Sequence, residues 1–138
     1  MTIHLISFAS ILHKQVSLRS SHEAILSEIE KYYTVKFVDH QDMDKLSSDD
    51  FKIIFVATGG VERLVIQHFE NLPRPAILLA DGMQNSLAAA LEISTWLRGR
   101  GMKSEILHGE LPAIILRIHT LYNLSLIHIS EPTRQEAI

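Results

Sequence analysis

Cysteine is absent from this chain of 138 residues, which excludes disulfide bonds and thiolate metal sites and leads us to expect a cytoplasmic protein. Basic residues are not in excess, since 13 Lys and Arg stand against 16 Asp and Glu and the net charge is −3. Nucleic acids and anionic membranes attract basic surfaces, so we expect neither partner. No apolar run is long enough to span a membrane, and residues 1–8 lack the basic segment of a secretory signal.

The C-terminal residues are expected to differ in origin from the rest of the chain. Residues 124–134, LSLIHISEPTR, match the translation of a transposase-end sequencing adapter, and a match of this length does not arise by chance. We therefore expect residues 124–138 to be a non-native tail and the natural protein to continue beyond Asn123 into further C-terminal domains. Residues 1–123 are enough for one domain with its own apolar core.

Strand and helix patterns alternate along residues 1–123. Apolar runs predict five strands, at residues 3–8, 35–38, 51–57, 76–80 and 104–107. Helical spacing predicts a helix opened by a capping box of Ser20 and Glu23, and three more over 61–70, 87–98 and 110–122. Helices between apolar strands indicate crossover connections and a mostly parallel sheet. The sequence thus predicts an α/β fold, a Rossmann/flavodoxin-like three-layer α/β/α sandwich with a five-stranded, mostly parallel sheet. The strand order 2-1-3-4-5 is expected by analogy with the flavodoxin-like class, because the sequence alone does not determine it.

The turn that follows the most apolar strand is the first candidate for binding. Ligands of such folds bind beyond the carboxyl ends of the strands, where Thr58-Gly59-Gly60-Val61-Glu62 would lie. Paired glycines let the backbone approach a ligand, and free amides at a helix start can hold an anion or an oxygen-rich molecule. Glu62 would repel a phosphate, which favours a neutral polyol. A plain strand-to-helix turn is the alternative interpretation.

A second turn and a histidine complete the predicted site. Residues 81–86, DGMQNS, offer carboxylate, amide and hydroxyl groups after the fourth strand, although Asn85 or Ser86 could simply cap a helix. His108 ends the fifth strand and could face the same edge. The candidate substrate-binding residues are Thr58, Gly59, Gly60, Glu62, Asp81, Asn85, Ser86 and His108.

Motifs for nucleotides, metals and nucleophiles are missing. The glycines match neither a P-loop nor a dinucleotide fingerprint, and no histidine pair has the H-x-x-x-H spacing of a zinc site. No serine stands in G-x-S-x-G. The sequence therefore assigns no catalytic residue and no metal ligand.

Three segments carry a resemblance to a known family. VATGGVE at 56–62, PAILLA at 75–80 and NSLAAALE at 85–92 resemble the N-terminal region of L-fucose/L-arabinose isomerase-like proteins, over residues 51–108. The resemblance implies an aldose–ketose isomerase that uses Mn²⁺ or another divalent cation, held by carboxylates and a histidine of later domains. It also implies a homo-oligomer in which this domain forms part of the sugar pocket, through Gly59, Gly60, Glu62, Asn85 and Ser86. We expect the chain alone to hold no cofactor and to lack isomerase activity.

Two other classes stay open. The first is a stand-alone flavodoxin-like binding or regulatory module, although the acidic cluster of a receiver domain and the phosphate loop of a flavin protein are both missing from the end of the first strand. The second is an interaction domain with a purely structural role, which would expose an apolar face where other domains pack.

Overall fold

The sheet is five-stranded and entirely parallel. The computed structural model describes residues 1–8, 22–82 and 85–130, with side chains as far as residue 126. The strands are β1 (Thr2–Ser7), β2 (Thr34–Asp39), β3 (Lys52–Phe55), β4 (Ala76–Leu79) and β5 (Ser104–Leu107). Their order is β2-β1-β3-β4-β5, and each neighbouring pair is parallel. The predicted α/β fold class and strand order are confirmed.

Helices cover both faces of the sheet. They are α1 (Glu23–Glu30), α2 (Glu62–Gln67), α3 (Ser86–Gly99) and α4 (Leu111–Ser130), with 3-10 helices at His40–Lys45 and Phe69–Asn71. Apolar side chains of α1 and α4 share one core with one face of the sheet. Those of α2, α3 and the first 3-10 helix form a second core on the opposite face. This is the three-layer sandwich that the alternating pattern predicts.

Burial along the strands explains why the central ones are so apolar. Every residue of β4 is buried, as are Ile53, Ile54 and Phe55 in β3, because helices pack on both faces. Alternate residues of a strand point to opposite faces, so Ile53 and Phe55 join the α1/α4 core while Ile54 joins the other. The outer strand β2 has no fully buried residue, as an edge strand with a single neighbour allows.

Helix boundaries depart from prediction in two places. The first helix begins at Glu23 with His22 as its N-cap residue and without a side-chain capping bond, so Glu23 is not the third residue of a capping box. The predicted helix over 61–70 divides at His68, whose φ of −101° and ψ of 22° leave the helical region. Ser20, the loop 9–18, Met83, Gln84 and residues 131–138 lie outside the described residues.

The last helix runs beyond the predicted native boundary. Helix α4 continues past Asn123 to Ser130, because this leucine-rich segment contains no helix-breaking residue. Leu124 and Leu126 lie on it with 49% and 43% of their surface exposed. Within the described part of the chain, no helix has the length and apolar character needed to cross a membrane.

Candidate binding site at the carboxyl edge of the sheet

Parallel pairing brings the two predicted turns to one edge. Strands β3 and β4 are neighbours, with Phe55 opposite Leu79, so the chain leaves both strands on the same side of the sheet. Thr58 follows β3 and Asp81 follows β4 at this position. His108 follows β5, the next strand along, at the same edge. We call this side, where β1, β3, β4 and β5 end, the carboxyl edge.

In the first turn a hydroxyl is buried and an amide is already bound. Thr58 is buried, and its Oγ1 has no hydrogen-bond partner in the described structure. Gly60 has a φ of 88°, which only glycine adopts without strain, and its amide donates to Oε1 of Glu62 at 3.3 Å. The chain's own carboxylate therefore already accepts from the Gly60 amide, and ligand binding by this turn stays a prediction.

The second turn is held by a buried serine. The Gly82 amide donates to Ser86 Oγ at 3.0 Å, and this hydroxyl lies 3.5 Å from Asp81 Oδ1, which accepts from it. Asn85 is exposed and left-handed, with a φ of 64°, and makes no side-chain capping bond. Ser86 is the first residue of α3 rather than its cap. Ser86 therefore holds Asp81 in place, which the helix-cap interpretation did not foresee.

Asp81 binds a histidine that comes from the start of α1. His22 Nδ1 lies 2.5 Å from Asp81 Oδ2, although the two residues are 59 positions apart in the sequence. The imidazole packs edge-on against the fully buried ring of Phe55, with centroids 5.0 Å apart and an interplanar angle of 83°. His22 is 1% exposed, and its Nε2 is buried without a partner.

The carboxylate decides which nitrogen of His22 carries the proton. A carboxylate accepts hydrogen bonds, so Nδ1 must donate to Asp81. In the neutral imidazole Nε2 is then left as an acceptor. The pair thus presents an orphaned acceptor that only a donor, such as a hydroxyl group, can satisfy.

A second hydroxyl lies next to Phe55. Ser7 ends β1 and pairs with Phe55, and it falls in the same alternation as Ile3 and Leu5, which belong to the α1/α4 core. Its Oγ is buried and has no partner in the described structure. Sequence reasoning missed both Ser7 and His22. The one available signal was position, since each stands where a strand ends or a helix begins at the carboxyl edge.

Orphaned polar atoms concentrate at this edge. Among described side chains, three of the four buried polar atoms without a hydrogen bond are Ser7 Oγ, His22 Nε2 and Thr58 Oγ1. The fourth is His4 Nδ1, nearer the start of β1. Buried polar atoms are nearly always bonded, and an unbonded one costs about 1–3 kcal/mol. A polar ligand, or ordered water, is what such atoms require.

The remaining predicted residues stand apart from this group. His108 and Gly60 are exposed, as is Asn85. In the described part of the chain, no hydrogen bond or ring contact joins His108 to His22 or Asp81. Glu62 is bound to its own turn. Of the predicted residues, Asp81 and Ser86 therefore form the centre of the candidate site, with Thr58 at the same edge.

Two cavities lie elsewhere, at the edge where the strands begin. One of 520 Å³ is lined by Phe51, Pro73, Pro75 and Leu124, among others, and one of 260 Å³ includes Leu126 in its wall. Both therefore depend on residues that the adapter match predicts to be foreign. Among residues 1–8, 22–82 and 85–126, no three His, Asp or Glu side chains are grouped to hold a metal ion.

Comparison of the chain with protein-family models, with curated proteins and with solved structures finds no match in any of the three. The fold and the chemistry of the carboxyl edge are therefore the basis for assigning a function.

Proposed function

We propose that this domain binds a neutral sugar at the carboxyl edge of its sheet, as the substrate-pocket and oligomerisation domain of a larger aldose–ketose isomerase-like protein. The observation that supports it is the group of three buried, unbonded polar atoms, Ser7 Oγ, His22 Nε2 and Thr58 Oγ1, at that edge. A ligand that fills their hydrogen-bonding capacity recovers the cost of their burial, which gives affinity and orientation together.

The polarity of these atoms favours hydroxyl groups over charged ones. The Nε2 atom accepts, whereas the serine and threonine hydroxyls both donate and accept, so the ligand must do both. Each hydroxyl of a sugar does so. The carboxylates of Asp81 and Glu62 carry the same sign of charge as a phosphate and would repel it.

The isomerase lineage comes from the resemblance of residues 51–108 to isomerase-like N-terminal domains. In such a protein, later domains would supply the carboxylates and histidine that hold Mn²⁺ or a similar cation. This domain would contribute binding contacts and a subunit interface. We expect the chain alone to convert no aldose into ketose, with or without added Mn²⁺.

Binding is tested by titrating the chain with L-fucose, L-arabinose and D-arabinose, followed by NMR chemical shifts and calorimetry. One sugar should saturate, and Thr58→Val and Ser7→Ala should each weaken it about 10-fold, equivalent to ~1.4 kcal/mol. Thr120→Val is the matched control, since Thr120 is exposed on α4 and bonded to its own helix. Absence of saturable binding, or equal affinity of all four proteins, would overturn the proposal.

A further inference from the structure

We propose that His22 and Asp81 form an acid–base pair that moves a proton on a bound reducing sugar, so that this chain by itself interconverts the anomers of an aldose. This step rests on the proposed function, because it needs a sugar at the carboxyl edge. It adds an activity, and it gives a catalytic role to a histidine that sequence patterns did not single out.

The geometry supplies the parts of a general base. Asp81 holds Nδ1 of His22 at 2.5 Å, which leaves Nε2 as the basic nitrogen. Asp81 is itself held in place. Its other oxygen, Oδ1, accepts a hydrogen bond from Ser86 Oγ at 3.5 Å, and Ser86 Oγ accepts from the Gly82 amide. When Nε2 takes a proton, the carboxylate stabilises the imidazolium that forms. Burial against Phe55 keeps water from weakening that attraction.

The most acidic hydroxyl of a cyclic aldose is the one on its anomeric carbon, and that hydroxyl suits this base. Nε2 of His22 takes its proton, the electron pair of the O–H bond forms the carbonyl, and the bond from the anomeric carbon to the ring oxygen breaks. The ring oxygen then takes the proton back from the imidazolium. Both oxygens are bonded to the same carbon, so one imidazole can reach them in turn.

Closure onto the other face of the carbonyl, by the same steps in reverse, yields the other anomer. The balance needs no oxidant and no other reactant, and the imidazole returns to its neutral form. The open-chain aldehyde formed on the way is also the form that an aldose–ketose isomerisation consumes. His22 is thus the catalytic residue, and Asp81 and Ser86 are positioning residues.

A purely structural role for the bond between His22 and Asp81 explains fewer of these observations. The Asp81 bond could serve only to fasten the start of α1 to the end of β4. Such a fastening accounts for Nδ1, but it leaves Nε2 buried and unbonded at a cost that a neutral apolar side chain would avoid. The two roles differ in what His22 does when sugar is present.

The first measurement needs no sugar. In ¹⁵N NMR spectra of the neutral imidazole, His22 of the intact chain should carry its proton on Nδ1, and Asp81→Asn should shift it towards the other tautomer. A wild-type His22 with its proton on Nε2 would overturn the acid–base pair whatever the sugar does. If a saturating sugar leaves the ¹⁵N chemical shift of His22 Nε2 unchanged, the acid–base pair is also overturned, because the sugar then does not bind to this nitrogen.

The second measurement uses the sugar that binds best. It follows the interconversion of the two anomers by NMR, through the separate signals of their anomeric protons. The chain should accelerate exchange above buffer, and His22→Gln should lose about 100-fold of that acceleration, the lower end of general acid–base catalysis. Asp81→Asn should lose the acceleration while still binding sugar. If His22→Gln does not fold, Asp81→Asn takes its place in this test. His119→Gln, on α4 and remote from this edge, is the matched control and should stay as fast as wild type.

The outcomes separate the two proposals. A chain that binds sugar but leaves anomeric exchange at the buffer rate, or a His22→Gln variant as fast as wild type, overturns the acid–base pair and leaves the proposed function standing. A chain that binds none of the sugars overturns the proposed function, and the acid–base activity fails with it.

Discussion

Polar groups are hydrogen-bonded to one another at the edge where the strands begin, whereas several buried ones are left unbonded at the carboxyl edge. At the edge where strands begin, the Tyr33 hydroxyl is bonded to His119, and Ser94 shares a hydrogen bond of 2.7 Å with Ser104. At the carboxyl edge, Ser7, His22 and Thr58 each keep a buried polar atom without a partner. The first edge resembles an ordinary protein interior, in which polar groups satisfy one another.

This contrast matters because the fold itself gives no reason for it. A domain selected only for stability would replace unbonded buried hydroxyls with apolar groups, which carry no such penalty. Proteins retain such unfavourable groups at functional sites, where the missing partner is a ligand. The single exception near the other edge, His4 Nδ1, has no charged partner holding its ring in the described structure.

The largest effect is expected from the core beneath the carboxyl edge. Phe55→Ala should lower the free energy of unfolding by about 3–5 kcal/mol, because the ring is fully buried and supports His22. Urea denaturation followed by circular dichroism measures it. Leu116→Ala, at a side chain that is 67% exposed, should change stability by less than ~0.5 kcal/mol. Comparable losses in both variants would show that this core is not packed as described.

The bonded hydroxyl of Tyr33 should contribute to stability in a pH-dependent way. Tyr33→Phe should cost about 1 kcal/mol near neutral pH, because it removes the bond to His119. Burial, with the nearby Tyr122, raises the pKa of Tyr33 above its usual value of 10.0. The folded state therefore keeps the tyrosine proton more tightly than the unfolded chain.

The contribution of Tyr33 to the free energy of unfolding is therefore fully present below pH 10. It falls as the pH rises from 10 through the higher pKa of Tyr33 in the folded state. Urea titrations between pH 8 and 11.5 should show a smaller alkaline loss in Tyr33→Phe than in wild type. Identical alkaline slopes for the two proteins would contradict the burial of this hydroxyl.

The unbonded hydroxyl of Thr58 should behave in the opposite sense. Thr58→Val removes a buried oxygen that has no partner and keeps the shape of the side chain. Stability should therefore rise, by up to about 1 kcal/mol, while sugar affinity falls. Ser94→Ala is the comparison, since it breaks a buried bond and should destabilise by ~1 kcal/mol. A destabilised Thr58→Val would mean that Thr58 does have a partner, and the contrast between the edges would weaken.

The smallest effect is expected from the C-terminal residues. Deleting residues 124–138 should change the free energy of unfolding by less than ~0.5 kcal/mol, because Leu124 and Leu126 are about half exposed and outside the two buried cores. Sugar binding at the opposite edge should not change. A deletion that also removes the fully buried Ile118 should unfold the domain. A large loss from the shorter deletion would argue that these residues belong to the native protein.

Much of the fold followed from short-range patterns. The unbroken apolar run at 51–57 indicated a strand covered on both faces, and β3 is buried in that way. The alternation of strands with helices predicted a parallel sheet, and the observed strand order agrees. Helix ends were less well predicted. His22 holds the N-cap position expected of Ser20, and Asn85 holds the N-cap position of α3 without a side-chain capping bond.

The site was predicted only as far as topology determines it. The carboxyl ends of parallel strands lie at the same edge of a sheet, so the turns that carry Thr58 and Asp81 could be placed at one edge from the sequence. Nothing in the sequence around His22 indicates that it meets Asp81, because that contact depends on how α1 packs across the sheet.

The amino-acid sequence by itself determined the layers and the parallel direction of the strands, since hydrophobic periodicity encodes which faces are buried. The strand order was predicted by analogy with flavodoxin-like folds. The tertiary structure alone decided which polar groups at the carboxyl edge are bonded and which are left open. Burial and hydrogen bonding between residues 59 positions apart arise only when separate elements pack, and no local pattern records them.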